Sequence, residues 1–377
     1  MRLLHGDCLE LLPTLAEASF HACVTDPPYH LTSIVKRFGS PTAAPAGFGT
    51  DGAFARASRG FMGKVWDGGD VAFRPETWAA VLRVLKPGAH LAAFSGTRTY
   101  HRMVCAIEDA GFEIRDQLAW VFGSGFPKSH DVSKAIDKAA GAEREVLGVA
   151  GKSGSVRNCM AGDFTGGEYM ATAPATDGAR QWVGWGTALK PAWEPIVLAR
   201  RPLAERTVAG QMLVTGTGAL NIDACRVHAS DAPPCPGGGV VGAGTSYELP
   251  DSHGEMPAGR WPANLVHDGS LEVLEAFGDE SRARFFYHAK ADAGDRAGSR
   301  HPTVKPIALM RWLVRMVTPP GGSVLDPFAG TGTTGAACRV AGFGCVMMER
   351  EAEYVADAAR RLGLDTQHQT PYSAASS

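Results

Sequence analysis

The chain has 377 residues, 45% of them hydrophobic and 20% charged, with a formal net charge of −2. That length and hydrophobicity bury a substantial core, in one elaborated domain or two smaller ones. The near-neutral total excludes a globally basic nucleic-acid binder and leaves such contacts to local patches, while eight cysteines without a CxxC pair or Cys/His ligand spacing exclude a disulfide scaffold and a zinc site.

The chain begins MRLLHGDCLELL, where acidic residues interrupt the apolar run that a secretory leader needs. No apolar run approaches the length of a membrane span. A soluble, cytoplasmic protein is expected, with no membrane and no metal among its partners. Residues 2–5 predict a short strand, 8–18 a helix and 22–25 a short buried strand. A helix follows over 78–85, closed by Lys86-Pro87-Gly88, then a strand over 90–94 and a helix over 99–110. The rhythm resumes late, with a helix over 307–317, a Pro-Pro-Gly-Gly break, a strand over 323–325, a Gly/Thr-rich turn with its helix, a strand over 345–348 and a last helix. Strands alternating with helices predict a parallel, doubly wound sheet. Between these ends, Gly-rich stretches at 36–69, 148–180 and 231–247 are too long for ordinary connections, so they are expected to be irregular loops with a task or disordered. Residues from about 365 read as a frayed tail.

Four short motifs carry the chemistry. Asp326-Pro327-Phe328-Ala329-Gly330-Thr331-Gly332-Thr333-Thr334-Gly335 follows a buried strand and opens a helix, which lets backbone approach a ligand and aims helix N–H groups at it. Glu349 ends the next strand, placed for ribose hydroxyls. The glycines also satisfy GxGxxG, so a nicotinamide-dependent oxidoreductase is a rival reading. Asp326 tilts the balance, because a carboxylate there repels a pyrophosphate and suits a ligand bearing an ammonium and a sulfonium. Thr25-Asp26-Pro27-Pro28-Tyr29 is the second motif. A base amino nitrogen has its lone pair delocalised into the ring, and accepting hydrogen bonds from both its N–H groups frees that pair. Asp26 and the Pro27 carbonyl are two acceptors on a rigid turn that lacks backbone donors, and Tyr29 offers a stacking ring. His5-Gly6-Asp7 puts an acid at the first strand's end, either for a cofactor's adenine or as a helix N-cap. His301-Pro302-Thr303-Val304-Lys305-Pro306 precedes a helix, with Thr303 and Lys305 available to a carboxylate.

Together these motifs describe a nucleotide-binding sheet cut open between its second and third strands, with all four sites at the carboxyl ends of parallel strands. The sequence resembles the beta group of DNA amino-methyltransferases, through DPPY at 26–29, HPTVKP at 301–306 and DPFAGTGTTG at 326–335. Segments 123–137, 190–202 and 259–266 further resemble phage and prophage members. The resemblance implies a circularly permuted Rossmann-like methyltransferase sheet with an irregular target-recognition insertion, and S-adenosyl-L-methionine as cofactor. It places Asp26, Pro27, Pro28 and Tyr29 on the target amine of a flipped-out base. Around the cofactor it places Asp7, Thr303, Lys305, Asp326, Phe328, Gly330, Thr331, Gly332, Thr333, Thr334 and Glu349. Aspartate heading the catalytic motif leans toward adenine N6, with cytosine N4 as the alternative. The family order divides the chain into a catalytic part (1–202), a target-recognition region (203–296), a cofactor part (297–363) and a tail (364–377).

Double-stranded DNA is the expected partner, and a homodimer is compatible with the sequence. Two basic stretches are candidates for tracking phosphates: Lys36, Arg37, Arg56, Arg59 and Lys64, and then Arg282, Arg284 and Lys290. A solvated basic face is the alternative for each.

Overall fold

Uninterrupted apolar residues leave a strand no face for solvent, so such strands form where both sides are covered. The computed structural model describes residues 1–29, 70–123, 129–152, 157–159, 162–164, 168–226, 261–276, 286–287, 293–296, 299 and 304–364. Its strands are β1 (Arg2–His5), β2 (Phe20–Thr25), β3 (Leu85–Phe94), β4 (Glu113–Val121), β5 (Val146–Lys152), β6 (Arg157–Cys159), β7 (Gly162–Phe164), β8 (Glu168–Thr172), β9 (Trp193–Arg200), β10 (Leu265–His267), β11 (Phe286–Tyr287), β12 (Ser323–Asp326) and β13 (Gly344–Glu349). Nine of them form one sheet in the order β1-β13-β12-β2-β3-β9-β4-β10-β11. All neighbours run parallel except β9, which is antiparallel to both β3 and β4.

One side of this sheet, from the β1 edge inward, is stitched from the two ends of the chain. β12 pairs with β2 (Leu325↔Cys23), and β13 pairs with β1 (Glu349↔His5). This is the expected permuted, doubly wound Rossmann-like α/β fold. Alternate residues face opposite cores. Ala22, Val24, Ala92, Phe94, Ile196, Val324 and Met347 pack with helices Ile307–Val317, Thr333–Ala341 and Ala352–Leu362. Cys23, Leu91, Ala93, Val197, Leu325 and Met348 pack with helices Pro75–Val84 and Tyr100–Asp109. Each fully buried aliphatic side chain stabilises the fold by about 1.5–3 kcal/mol, so the layers hold the strand ends, and thus the site, in place.

The chain divides into two compact units. One, Met1–Leu31, Trp66–Gly123 and Trp193–Ser377, contains the nine-stranded sheet. The other, Thr32–Val65 and Ser124–Ala192, contains the antiparallel strand pairs β5/β8 and β6/β7 and helices Val132–Ala139 and Asp177–Gln181. Inside it, Asp137 accepts from the Ala175 and Thr176 amides and the Thr176 hydroxyl, and pairs with Arg144 at 2.8 Å.

Several expectations are corrected. The helix from residue 8 ends at Leu11 and passes into a 3-10 turn, Leu12–Thr14, because Pro13 has no N–H to continue it. Lys86-Pro87-Gly88 does not break the chain but lies within β3, where the register with β2 shifts between Phe20 and Ala22; Gly88 takes φ +80° there. The parallel sheet contains one reversed strand, β9. The described residues within 148–180 are not irregular throughout, since the antiparallel strand pairs β5/β8 and β6/β7 supply backbone partners there. Residues 203–296 include two short strands of the main sheet, β10 and β11. The loops at 36–69 and 231–247 and the tail from 365 lie outside the described residues.

Candidate active site

β2 is buried up to Thr25 and delivers Asp26 at its carboxyl end. Pro27 is buried, while Asp26, Pro28 and Tyr29 are half-buried. Tyr29 is fixed at both ends, by its carbonyl accepting from the Thr99 hydroxyl at 3.0 Å and by its own hydroxyl donating to Asp26 Oδ1 at 2.8 Å. Gly96 leaves room for the ring, since a Cβ there would meet Tyr29 Cδ2 at 3.3 Å.

Side-chain donors crowd this corner, although its two prolines supply no backbone N–H. Lys305 Nζ lies 2.9 Å from Asp26 Oδ2, 3.0 Å from Glu194 Oε2 and 3.0 Å from the Tyr29 hydroxyl. The ammonium also stands over the rings of Phe94 and Tyr29, at 4.8 and 5.3 Å from their centroids. Two half-buried carboxylates thus share one buried ammonium. Burial raises the Asp26 carboxyl above the usual range; Lys305 opposes that rise and Glu194 adds to it. Burial on its own depresses the Lys305 ammonium, but Asp26 and Glu194 outweigh it, and the group stays charged.

β12 ends in Asp326, which is also buried. Its Oδ1 accepts from the Thr25 hydroxyl at 2.6 Å and from the Phe328 amide at 3.1 Å. Burial pushes this carboxyl up to about 6, against the pull of those hydrogen bonds. The chain then turns through Gly330 at φ +51° and Gly332 at φ +76°, conformations that a Cβ disfavours. At Gly332 a Cβ would also meet Leu362 Cδ1 at 3.0 Å, and at Gly335 it would meet Met347 Sδ at 2.4 Å. The third glycine therefore lets the helix lie close on β13.

Glu349, at the end of β13, accepts from the Gly330 amide through Oε2 and from the Glu351 amide through Oε1, each at 2.8 Å. Burial holds it at about 7 despite those bonds. Asp7, at the end of β1, caps the helix Cys8–Leu11 by accepting from the Leu9 amide.

The structure thus brings Asp26, Tyr29 and Lys305 into one cluster, and Asp326, Phe328 and Gly330 into the adjoining turn that Glu349 braces. The hydroxyls of Thr331 and Thr333 accept from Arg361 Nη1, and that of Thr334 donates to the Val24 carbonyl, so all three face protein groups. Thr303, Lys36, Arg37, Arg56, Arg59, Lys64, Arg282, Arg284 and Lys290 lie outside the described residues. Sequence reasoning missed Glu194. Because β9 runs against its neighbours, its amino end sits at the edge where parallel strands end, fixed by the Ser95 amide donating to the Pro195 carbonyl. The only signal was position, a Glu two residues before four apolar ones, and that does not reveal strand direction.

Among the described residues, no helix is long and apolar enough to cross a membrane, and no cluster of His, Cys, Asp and Glu has metal-binding geometry. The chain is 26% identical over 292 residues to the type II methyltransferase M.HindIII of Haemophilus influenzae, covering 77% of this chain and 68% of that protein. It is 44% identical over 62 residues to the DNA adenine methyltransferase YhdJ of Escherichia coli, covering 16% of this chain and 21% of the relative. Among solved structures it is similar to PvuII DNA methyltransferase (cytosine-N4-specific), with 17% identity, 97% and 86% coverage and a TM-score of 0.46. The family model for DNA methylases of the N6/N4 type matches residues 20–360, nearly the whole of both motif regions and everything between them, and the chain belongs to that family.

Proposed function

We propose that this DNA methyltransferase transfers a methyl group from S-adenosylmethionine to an exocyclic amino nitrogen in double-stranded DNA, with adenine N6 as the target. The observation that carries this reading is the Thr25 hydroxyl, which bonds Asp326 at 2.6 Å and sets the DPPY corner beside the glycine turn. A base held at the first is then within reach of a ligand held at the second. Adenine is favoured by Asp26 at the head of the motif and by the name of the Escherichia coli relative; cytosine N4 is the alternative within the same family.

The turn fits the cofactor. Gly330 leaves partly exposed backbone that a side chain would cover, and Glu349 keeps lone pairs for ribose hydroxyls beyond the two amides it accepts. Asp7 and Phe328 stand at the neighbouring strand ends. When bound, S-adenosylmethionine supplies a methyl group made electrophilic by a sulfonium.

The chain's own part is to orient the nucleophile. The target base is extruded from the duplex, as reaction at a stacked base requires, and stacks near Tyr29. Asp26 and the Pro27 carbonyl receive its amino N–H groups, drawing the nitrogen toward tetrahedral geometry. Rate enhancement comes mainly from holding the reactants in near-attack geometry in a water-poor site. Residues 203–296 and the basic stretches holding Lys36, Arg37, Arg56, Arg59, Lys64, Arg282, Arg284 and Lys290 are assigned to DNA contact in this reading.

The test is transfer of labelled methyl to unmethylated plasmid DNA, followed by digestion to nucleosides and mass spectrometry. N6-methyladenine is expected. N4-methylcytosine would overturn the base assignment, and label absent from DNA would overturn the activity.

A further inference from the structure

We infer that Glu194 is a positioning residue for methyl transfer: it takes over the Lys305 ammonium when the target amino group claims Asp26. The inference rests on the function proposed above and deepens it.

The geometry sets the problem. Asp26 is engaged on both oxygens, Oδ1 by the Tyr29 hydroxyl and Oδ2 by Lys305. An amino group that donates to this carboxylate competes with those donors. The Tyr29 hydroxyl has an alternative acceptor, Glu194 Oε2 at 3.2 Å. The ammonium has the same one, at 3.0 Å. Lys305 has three N–H donors and three acceptors within 3.0 Å, so withdrawing from Asp26 removes one bond and leaves the rest in place.

Charge decides why a second carboxylate is needed. Lys305 is only 6% exposed, and a buried ammonium that loses its counter-ion is strongly destabilised. With Asp26 as its sole partner, Lys305 would have to be stranded before the base could bind. Glu194 keeps the ion pair intact through the exchange, and the faces of Phe94 and Tyr29 hold the ammonium in place. The same sharing keeps Asp26 from being neutralised by a dedicated cation. The pair stays electron-rich on the side where the amino protons arrive. Among the described residues, Tyr29, Glu194, Lys305 and Asp326 are the titratable groups that act on Asp26.

The experiment uses the full chain, S-adenosylmethionine with a labelled methyl group and unmethylated plasmid DNA, under single-turnover conditions. Glu194→Gln is expected to slow transfer about 100-fold while affinity for S-adenosylhomocysteine stays within about twofold, which also shows that the variant folds. Glu194→Asp, which retains the charge, should recover about a tenth or more of the wild-type rate. In a Lys305→Met background, Glu194→Gln should add no further loss, because the cation it serves is gone. The acid limb of the pH–rate profile should move to lower pH in Glu194→Gln, since the negative charge of Glu194 raises the Asp26 carboxyl.

The inference is overturned by a Glu194→Gln rate within about threefold of wild type, by an equal loss with and without Lys305, or by an acid limb that does not move. Wild-type chain that methylates no DNA would instead remove the proposed function, and this inference with it; that control separates the two failures.

Discussion

The corner at 26–29 and the turn at 326–335 stand side by side at one sheet edge, yet they are built from different materials. The corner is made of charged and polar side chains drawn from three distant segments, Asp26 and Tyr29 after β2, Glu194 on β9 and Lys305 before the helix Ile307–Val317. The turn is made of backbone, with two glycines at positive φ and one carboxylate bracing it. In the proposed reaction the corner positions a nucleophile by sharing protons and charge, and the turn makes space by omitting side chains. Substitutions at the corner should therefore change rate, and those at the turn should change stability and cofactor affinity.

The largest expected effect is at the corner. Asp26→Ala should lower methyl transfer by about a thousandfold or more, roughly 4 kcal/mol of transition-state stabilisation, while S-adenosylhomocysteine binds nearly as before in calorimetry. Loss of cofactor affinity on the same scale would erase the distinction between the two regions.

Next comes Gly332→Ala at the turn. A left-handed alanine with its Cβ against Leu362 and Ala358 should destabilise the fold by about 2–3 kcal/mol. Gly342→Ala shares the positive φ but meets nothing within 4 Å, and should cost only about 1 kcal/mol. Equal midpoints for the two variants in urea unfolding would show that close packing at the turn is not the constraint.

Thr25→Val tests the link between the regions. Removing its hydrogen bond to the Asp326 carboxylate should cost about 1.5–2 kcal/mol. Asp326 is raised to about 6, so its burial favours folding below the unfolded carboxylate range, and that contribution is lost as pH rises through 6. The Thr25 hydroxyl supports the ionised form, so the variant should be more destabilised at pH 8 than at pH 5. A pH-independent difference would show that the hydroxyl does not act on that charge.

The smallest effect concerns Glu349. With its carboxyl at about 7, it is mostly ionised at pH 8 and mostly protonated at pH 6. Affinity for S-adenosylhomocysteine should fall about fivefold over that interval as an acceptor is lost, and Glu349→Gln should flatten the profile. An unchanged slope in the variant would take Glu349 out of ribose recognition.

The same contrast explains what sequence could reveal. The turn was legible because a strand, three glycines and an opening helix are consecutive, and their conformational needs are local. DPPY was legible for the same reason. The corner as a whole was not. Lys305 stood in a motif that offered it to a carboxylate and that the resemblance placed around the cofactor, and only the packed sheet sets it against Asp26. Glu194 carried no local signature. The β5/β8 and β6/β7 strand pairs were hidden by glycine content, which mimics a loop when strand partners are not known.

By itself the sequence determined the alternation of strands and helices, the two motif turns and the order in which the permuted sheet is assembled. Periodicity and turn chemistry act over a few residues and need no partner. Only the tertiary structure decided the direction of β9, the sharing of one ammonium by two carboxylates, and the bond from Thr25 to Asp326. Those features depend on which strand lies beside which and on how much water is excluded between them. Charge and desolvation act through space, across intervals of some 165 to 300 residues along this chain.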